Sequence, residues 1–503
     1  MYRIQLMRDS VMVQQAQQPQ QAQQERARGC LVRCSWGERG EEARSSGLAL
    51  GRGWALAPAT VLGALRPQTR QLLASLPARR PGPLSATRFH VDGRPAAARY
   101  AWRCPLLARA ATLLQGWALR PDRPGYSDNT DPEEEAARLL LPVFLLLELE
   151  EGEEKGEKVE DVLRRVAATL GGAPARGAPL LVEATPFCSP LFLNSLSRGV
   201  VSNVLGPQGC LLLTDARTAH GCEGGAIFSA AEGDRRLVGV VACSLAWWRG
   251  EWVGFTLGVL LAPVLDQALR GRTPGPVPGR VTAPLGLDDA VVLVRCGSGW
   301  GSGVVVDKSK GTIVTCSHVI SQVDKSPVSV QWKARRLTAR LLHRTRDGAA
   351  YDVAVLSVGR VAGLQQLQLA EGAPVVGEEV LAAGFPIFSE DGVLPTVTQG
   401  VVARVQGPGP SFLQTTCCVQ SGASGGAVLA RSDRLLAVVV CNIKDHGTGA
   451  VYPHVNLAVP STVLAAPLAQ FAATGDVECL RTLESDDPEV QRSWRLQQLS
   501  SRL

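Results

Sequence analysis

Apolar residues in this chain fall in short runs broken by glycine and polar clusters. In the second half these runs are Ala290 to Val294, Gly303 to Val306, Thr312 to Thr315, Val328 to Trp332, Val353 to Val358, Val380 to Ala383, Gly400 to Val405 and Leu435 to Cys441. Runs this short and Val-rich predict strands. Their succession without intervening helical patterns predicts an all-β fold, an antiparallel sandwich or barrel. The longest apolar runs, such as Leu139 to Leu147, fall well short of the roughly 20 residues of a membrane-spanning helix.

The pattern occurs twice. Cys30-Leu-Val-Arg-Cys34 matches Val292-Leu-Val-Arg-Cys296, and Gly199-Val-Val-Ser-Asn-Val204 matches Gly400-Val-Val-Ala-Arg-Val405. Gly221-Cys-Glu-Gly-Gly225 then matches Gly422-Ala-Ser-Gly-Gly426, and the spacing from Gly199 to Gly221 and from Gly400 to Gly422 is 22 residues in both copies. Such self-similarity predicts two homologous lobes, residues 29–270 and 287–470, behind a Gln-rich leader of residues 1–28. The Pro/Gly-dense segment 271–286 reads as a linker. Insertions are expected at about 67–121 and 131–161 of the first lobe, and residues 471–503 are expected to form a tail.

Composition narrows the classes. With 52 Lys and Arg against 46 Asp and Glu, the net charge is only +6, and no basic run is interleaved with aromatics; nucleic acid is therefore excluded as a partner. The 13 cysteines are an odd number, and no secretory signal pattern opens the chain. Together these predict free thiols in a reducing compartment. No Cys-x-x-Cys pair occurs, so neither a metal site nor any cofactor is expected. The chain closes on Ser501-Arg502-Leu503, a variant of the Ser-Lys-Leu peroxisomal address.

Three motifs carry chemistry. In Ser421-Gly-Ala-Ser424-Gly-Gly426, Ser424 is a candidate nucleophile, with the N–H groups of Gly422 and Ser424 as candidate oxyanion donors. Thr315-Cys-Ser-His318 ends an apolar strand and offers an imidazole base. Tyr351-Asp352-Val-Ala-Val-Leu puts a carboxylate just before a buried strand, where Asp352 can orient that base. The order His, Asp, Ser, with gaps of 34 and 72 residues, is that of the chymotrypsin arrangement. In the first lobe Glu223 stands at the nucleophile position, Ala59-Thr60 near that of the base and Pro142 near that of the acid. That lobe is expected to be catalytically empty.

These motifs resemble the trypsin-like serine proteases, the HtrA/Deg branch in particular. The tandem layout, Phe412-Leu-Gln-Thr-Thr-Cys417, Thr448-Gly-Ala-Val-Tyr-Pro-His454 and the Ser-Arg-Leu end resemble the peroxisomal leader-peptide-processing proteases over about residues 30–503. The resemblance implies tandem chymotrypsin-like double β-barrel lobes, the first degenerate and the second catalytic. It also implies an endopeptidase of the peroxisome matrix. That enzyme would remove leaders from imported enzymes, process fatty-acid β-oxidation proteins and cut after Cys. Its expected partners are these protein substrates, the import receptor at the C-terminus, and further copies of itself. Cys418 stands where an enzyme selecting Lys or Arg carries Asp; a buried basic side chain would lack its partner there. A small P1 pocket formed by Cys418, Val440, Cys441 and Asn442 is expected. Val440 replaces a serine that commonly supports the Asp, so Asp352 should be held by other groups. Self-cleavage is expected, if anywhere, in an exposed loop around Cys104. Two other readings stay open on the sequence: a peptide-binding pseudoprotease, and a cytosolic HtrA-like quality-control protease.

Overall fold

The computed structural model describes residues 27–37, 40–62, 87–114, 117–118, 138–150, 156–230, 235–248, 251–270, 286–390, 392–406, 411–444 and 451–494. The Gln-rich leader (except Ala27 and Arg28), the 271–286 linker (except Gly286) and the C-terminal tripeptide lie outside these residues.

Four β units follow one another, two per lobe. In the first lobe, six antiparallel strands close a barrel: Arg28–Trp36, Glu41–Gly51, Trp54–Pro58, Val143–Leu149, Arg94–Arg103 and Arg88–Val91. A seven-stranded sheet comes next, and pairing of Ala226–Ser229 with Leu237–Trp248 closes six of its strands into a ring. In the second lobe, a seven-stranded sheet runs from Arg335–Thr338 to Arg340–Arg344. Its two edge strands are consecutive in the chain and joined at Ala339, so the sheet curls into an incomplete barrel. The last unit is a closed barrel of Glu379–Gly384, Thr396–Gln406, Phe412–Thr415, Val451–Pro460, Leu435–Lys444 and Ala427–Ala430. This is the tandem chymotrypsin-like all-β architecture. Alternation explains the closure: inward Val, Leu and Ile fill each barrel, as with Val292, Val294, Val304, Ile313 and Leu356, all under 2% exposed.

Three expectations need correction. The stretch 67–121 is not simply an insertion, since Arg88–Val91 and Arg94–Arg103 supply two of the six barrel strands. Likewise 131–161 contains the barrel strand Val143–Leu149. The described part of the tail, as far as Trp494, is docked. Helix Ser461–Thr474, the 3-10 turn Val477–Glu484 and helix Pro488–Trp494 dock on the second lobe and bury Leu464, Leu480, Leu483 and Trp494.

The lobes meet through equivalent strands. Ser195–Leu205 packs on Thr396–Gln406, and Glu251–Leu260 on Val451–Pro460. A seam of like against like is what an isologous dimer has, here built within one chain. Polar groups set its register: Asn203 Nδ2 donates to Leu394 O at 2.9 Å and Thr396 Oγ1 at 3.0 Å. Arg176, almost fully buried, donates to Pro395 O at 2.6 Å and pairs with Asp288. Asp215 accepts from Val200 N in its own lobe and from Gln399 N across the seam, both at 2.7 Å.

Candidate active site

Strand order brings His318 and Asp352 together. Thr312–Thr315 pairs with Ala354–Ser357 in the register Thr315 to Ala354. His318 opens the 3-10 turn just past the first strand, and Asp352 sits two residues before the second. Asp352 Oδ2 pairs with His318 Nδ1, and Oδ1 accepts the backbone N–H of His318 at 3.0 Å. That second bond answers how Asp352 is held with Val440 in place of a serine. The turns themselves are fixed by Ser317 Oγ donating to Thr345 O at 2.8 Å and by Val353 N donating to Thr345 Oγ1 at 3.1 Å.

Ser424 comes from the other unit, in the tight turn before strand Ala427–Ala430. Ser302, in the strand Gly299–Asp307, fastens this turn to the first sheet. Its N–H donates to Ser424 O at 2.7 Å, its Oγ donates to Gly422 O at 2.7 Å, and Phe385 N donates to that Oγ at 2.8 Å. Gly422 has φ +96°, and a Cβ there would collide with the Phe385 carbonyl; only glycine fits. Within the turn, Ala423 N, Gly425 N and Gly426 N donate to Gln420, Val439 and Ala423 carbonyls. Among the described residues the N–H groups of Gly422 and Ser424 have no hydrogen-bond acceptor.

The Ser424 hydroxyl donates to Val440 O at 2.9 Å rather than to the His318 ring. Val440 also lines the cleft that holds His318 and Asp352. Both side chains therefore meet Val440, Ser424 through this bond and His318 as a fellow lining residue of the cleft. Beneath the pair, Cys316 is fully buried and donates to Val439 O at 3.2 Å. Burial, then the Asp352 charge, raises its thiol pKa well above the ordinary value. Cys316, His318 and Asp352 could in principle ligate a metal. In this structure, however, the imidazole and carboxylate are bonded to each other.

The expected P1 residues separate. Val440 and Cys441 line the cleft with His318. Cys418 is fully buried and packs with the first lobe's core. Its thiol lies where a Cβ on Gly254 of the first lobe would come within 2.6 Å. Asn442 Nδ2 donates to Val419 O at 2.7 Å, while its Oδ1 is buried without a partner.

In the first lobe the Glu223 carboxylate accepts from Gly221 N at 2.8 Å. Gly221 is the counterpart of Gly422, so the acid fills the place an oxyanion would take. Burial raises the pKa of Glu223. Ala59 opens the 3-10 turn after strand Trp54–Pro58, and Pro142 precedes strand Val143–Leu149, so no base or acid stands at either place.

Cys104 is not in an exposed loop. It caps the helix Pro105–Ala110 with 0% exposure, packed among Leu106, Leu107 and Leu114. A protease could not reach that bond in the folded lobe. Of the 13 cysteines, all free thiols, twelve are buried and Cys441 is half-buried. No described helix is long and apolar enough to cross a membrane.

Sequence reasoning missed Ser302 and the cleft-lining Trp494. A buried serine between two glycines in a Val-rich strand was a signal for the first. The second depends on tertiary docking of the tail.

Comparisons with known proteins agree with this geometry. The family profile "Trypsin-like peptidase domain" matches residues 301–438, which include His318, Asp352 and Ser424. The chain is 38% identical over 415 residues to the mouse peroxisomal leader peptide-processing protease, covering 77% of this chain and 71% of that one. It is 39% identical over 399 residues to the human protein of that name, covering 74% and 69%. The periplasmic pH-dependent serine endoprotease DegQ of Escherichia coli is 29% identical over 188 residues, 36% of this chain and 39% of its own. With its two double-barrel lobes and similarity over most of its length, the chain belongs to the peroxisomal leader peptide-processing protease family of trypsin-like serine endopeptidases.

Proposed function

We propose that this endopeptidase acts in the peroxisome matrix. There it removes N-terminal targeting leaders from imported enzymes and processes fatty-acid β-oxidation proteins, cutting after Cys. The observation that carries the reading is the His318–Asp352 pair set at the same strand as Ser424, whose turn leaves the N–H groups of Gly422 and Ser424 available.

In this mechanism Ser424 Oγ turns from Val440 O to His318 Nε2 and gives up its proton as it attacks the scissile carbonyl. Asp352 holds the ring through Nδ1 and favours the imidazolium that forms. The N–H groups of Gly422 and Ser424 bind the developing oxyanion. His318 then passes the proton to the leaving amine, and water repeats the cycle on the acyl-enzyme. Val440 and Cys441, the uncharged residues of the expected P1 wall that line the cleft with His318, support a small, uncharged P1 side chain. In the proposed layout the lobe within 287–470, with the docked segment as far as Trp494, does the chemistry, and residues 29–270 support it. Ser501-Arg502-Leu503 is the proposed contact for the import receptor, and assembly with further copies is proposed on family resemblance alone.

The test is incubation with a leader-bearing matrix enzyme, followed by mapping of the new N-terminus by mass spectrometry. A single cut after Cys, absent with Ser424→Ala, is expected. An unchanged substrate with wild-type enzyme would favour the pseudoprotease reading, and a cut after Lys or Arg would overturn the P1 assignment.

A further inference from the structure

We propose that the docked C-terminal segment forms a substrate subsite: Trp494 and Gln491 make the far wall of the cleft beside His318. That wall would receive an apolar side chain of the substrate just upstream of the cleaved bond. The inference rests on the reading of Ser424, His318 and Asp352 given above.

A cleft of about 880 Å³ opens beside His318 and Asp352, and its lining includes Tyr351, Val440, Cys441, Gln491 and Trp494. Its volume lies in the range of specific ligand pockets and exceeds what a single small P1 side chain fills. Val440 and Cys441 belong both to this cleft and to the expected P1 wall. The cleft is therefore contiguous with the expected P1 wall, and in the proposed pose substrate residues N-terminal to the cut lie along it.

The wall is fixed before substrate arrives. The indole of Trp494 meets Phe412 edge-on at 5.9 Å and 69°, and Tyr351 at 6.2 Å and 81°. Its Nε1 donates to Ser411 O at 3.1 Å. A ring held by two edge-on partners and a hydrogen bond loses little freedom when a ligand packs against it, which is what makes buried aromatics effective anchors. Gln491 stands half-buried on the same helix turn, where it can add a polar contact. The segment also reaches Tyr351, next to Asp352, so the test has to separate a subsite from a support for the Asp352 turn.

The experiment uses the full chain and two peptides that differ only at the second and third residues upstream of the cut, Leu in one and Gly in the other. A small fluorophosphonate serves as a third probe, since it reports on Ser424 without filling the cleft. An aromatic packing contact is worth about 1.4 kcal/mol, a factor of about ten. Trp494→Ala is accordingly expected to raise KM for the Leu peptide about tenfold. KM for the Gly peptide and the fluorophosphonate labelling rate should stay within about twofold. Trp494→Phe, which keeps the edge-on packing, should recover most of the loss, and Gln491→Ala should give a smaller effect of the same selectivity.

Equal losses on both peptides and on labelling would overturn the subsite and leave a structural role. If Trp494→Ala does not fold, Trp494→Phe and Gln491→Ala decide by the same ratio of Leu to Gly peptide. Wild-type enzyme that is neither labelled nor active would instead overturn the protease reading beneath it.

Discussion

Asp215 ties the two lobes together at a point where its own ionisation opposes the packing. It is buried, and desolvation raises its pKa to about 6 against the four smaller effects that favour the charge: the N–H groups of Gln399, Val200 and Asp215 itself, and Arg217. The sign follows from linkage. The folded state holds the proton more tightly than the unfolded chain, so the contribution of Asp215 to stability is greatest at low pH and is lost as pH rises through about 6. With an unfolded value near 3.8, the loss between pH 5 and pH 8 is about 1.4 kcal/mol. Other groups act in the same window. His343 and His454 have pKa values lowered chiefly by burial, so their contribution runs the opposite way and is lost as pH falls. Asp215→Asn cancels this background, because the shared groups drop out of the difference between the two proteins. Asn keeps a single acceptor and orphans one N–H at every pH, a constant offset of about 1–3 kcal/mol. Urea unfolding of both proteins from pH 5 to pH 8 is the assay. The wild-type advantage should shrink by about 1.4 kcal/mol across that range. A difference that is flat with pH, or that grows, would refute the placement of Asp215 in a desolvated seam.

The remaining predictions concern the site. Gly254→Ala drives a methyl to within 2.6 Å of Cys418 Sγ; overpacking of this kind costs about 1–3 kcal/mol, and a matching fall in thermal stability with lowered kcat/KM is expected in calorimetry and peptide assays. Ser302→Ala removes the donor to Gly422 O and the acceptor for Phe385 N; an about tenfold loss in kcat is expected, following the roughly 1–3 kcal/mol cost of orphaned buried groups, and unchanged kcat would argue against its role in shaping the turn. Glu223→Ser in a Ser424→Ala background should restore no cleavage, because Ala59 and Pro142 supply neither base nor acid; restored activity would contradict the empty first lobe.

The parts of the fold legible in sequence are those set by local rules. Val-rich strands and the Gly-x-Ser-Gly-Gly turn have steric and periodic signatures that survive without context. Arg94–Arg103 reads Arg-Pro-Ala-Ala-Ala-Arg-Tyr-Ala-Trp-Arg. Alanine has little strand propensity, so only pairing with Val143–Leu149 and Arg88–Val91 reveals it as a barrel strand. Cys104 looked exposed because Arg and Pro surround it, yet the packing of Leu106, Leu107 and Leu114 buries it. Cys418 was placed by its spacing from Ser424, and spacing carries no information about a second lobe pressing on its thiol. The docking of Trp494 was equally invisible, since its partners Tyr351 and Phe412 lie 143 and 82 residues upstream.

The central claim is that His318 makes the Ser424 hydroxyl nucleophilic. Reaction with a fluorophosphonate followed by peptide mapping tests it directly. The adduct should sit on Ser424 alone, with labelling lost in His318→Ala while far-UV circular dichroism is unchanged. An adduct on another residue, or undiminished labelling of Ser424 without the imidazole, would contradict it.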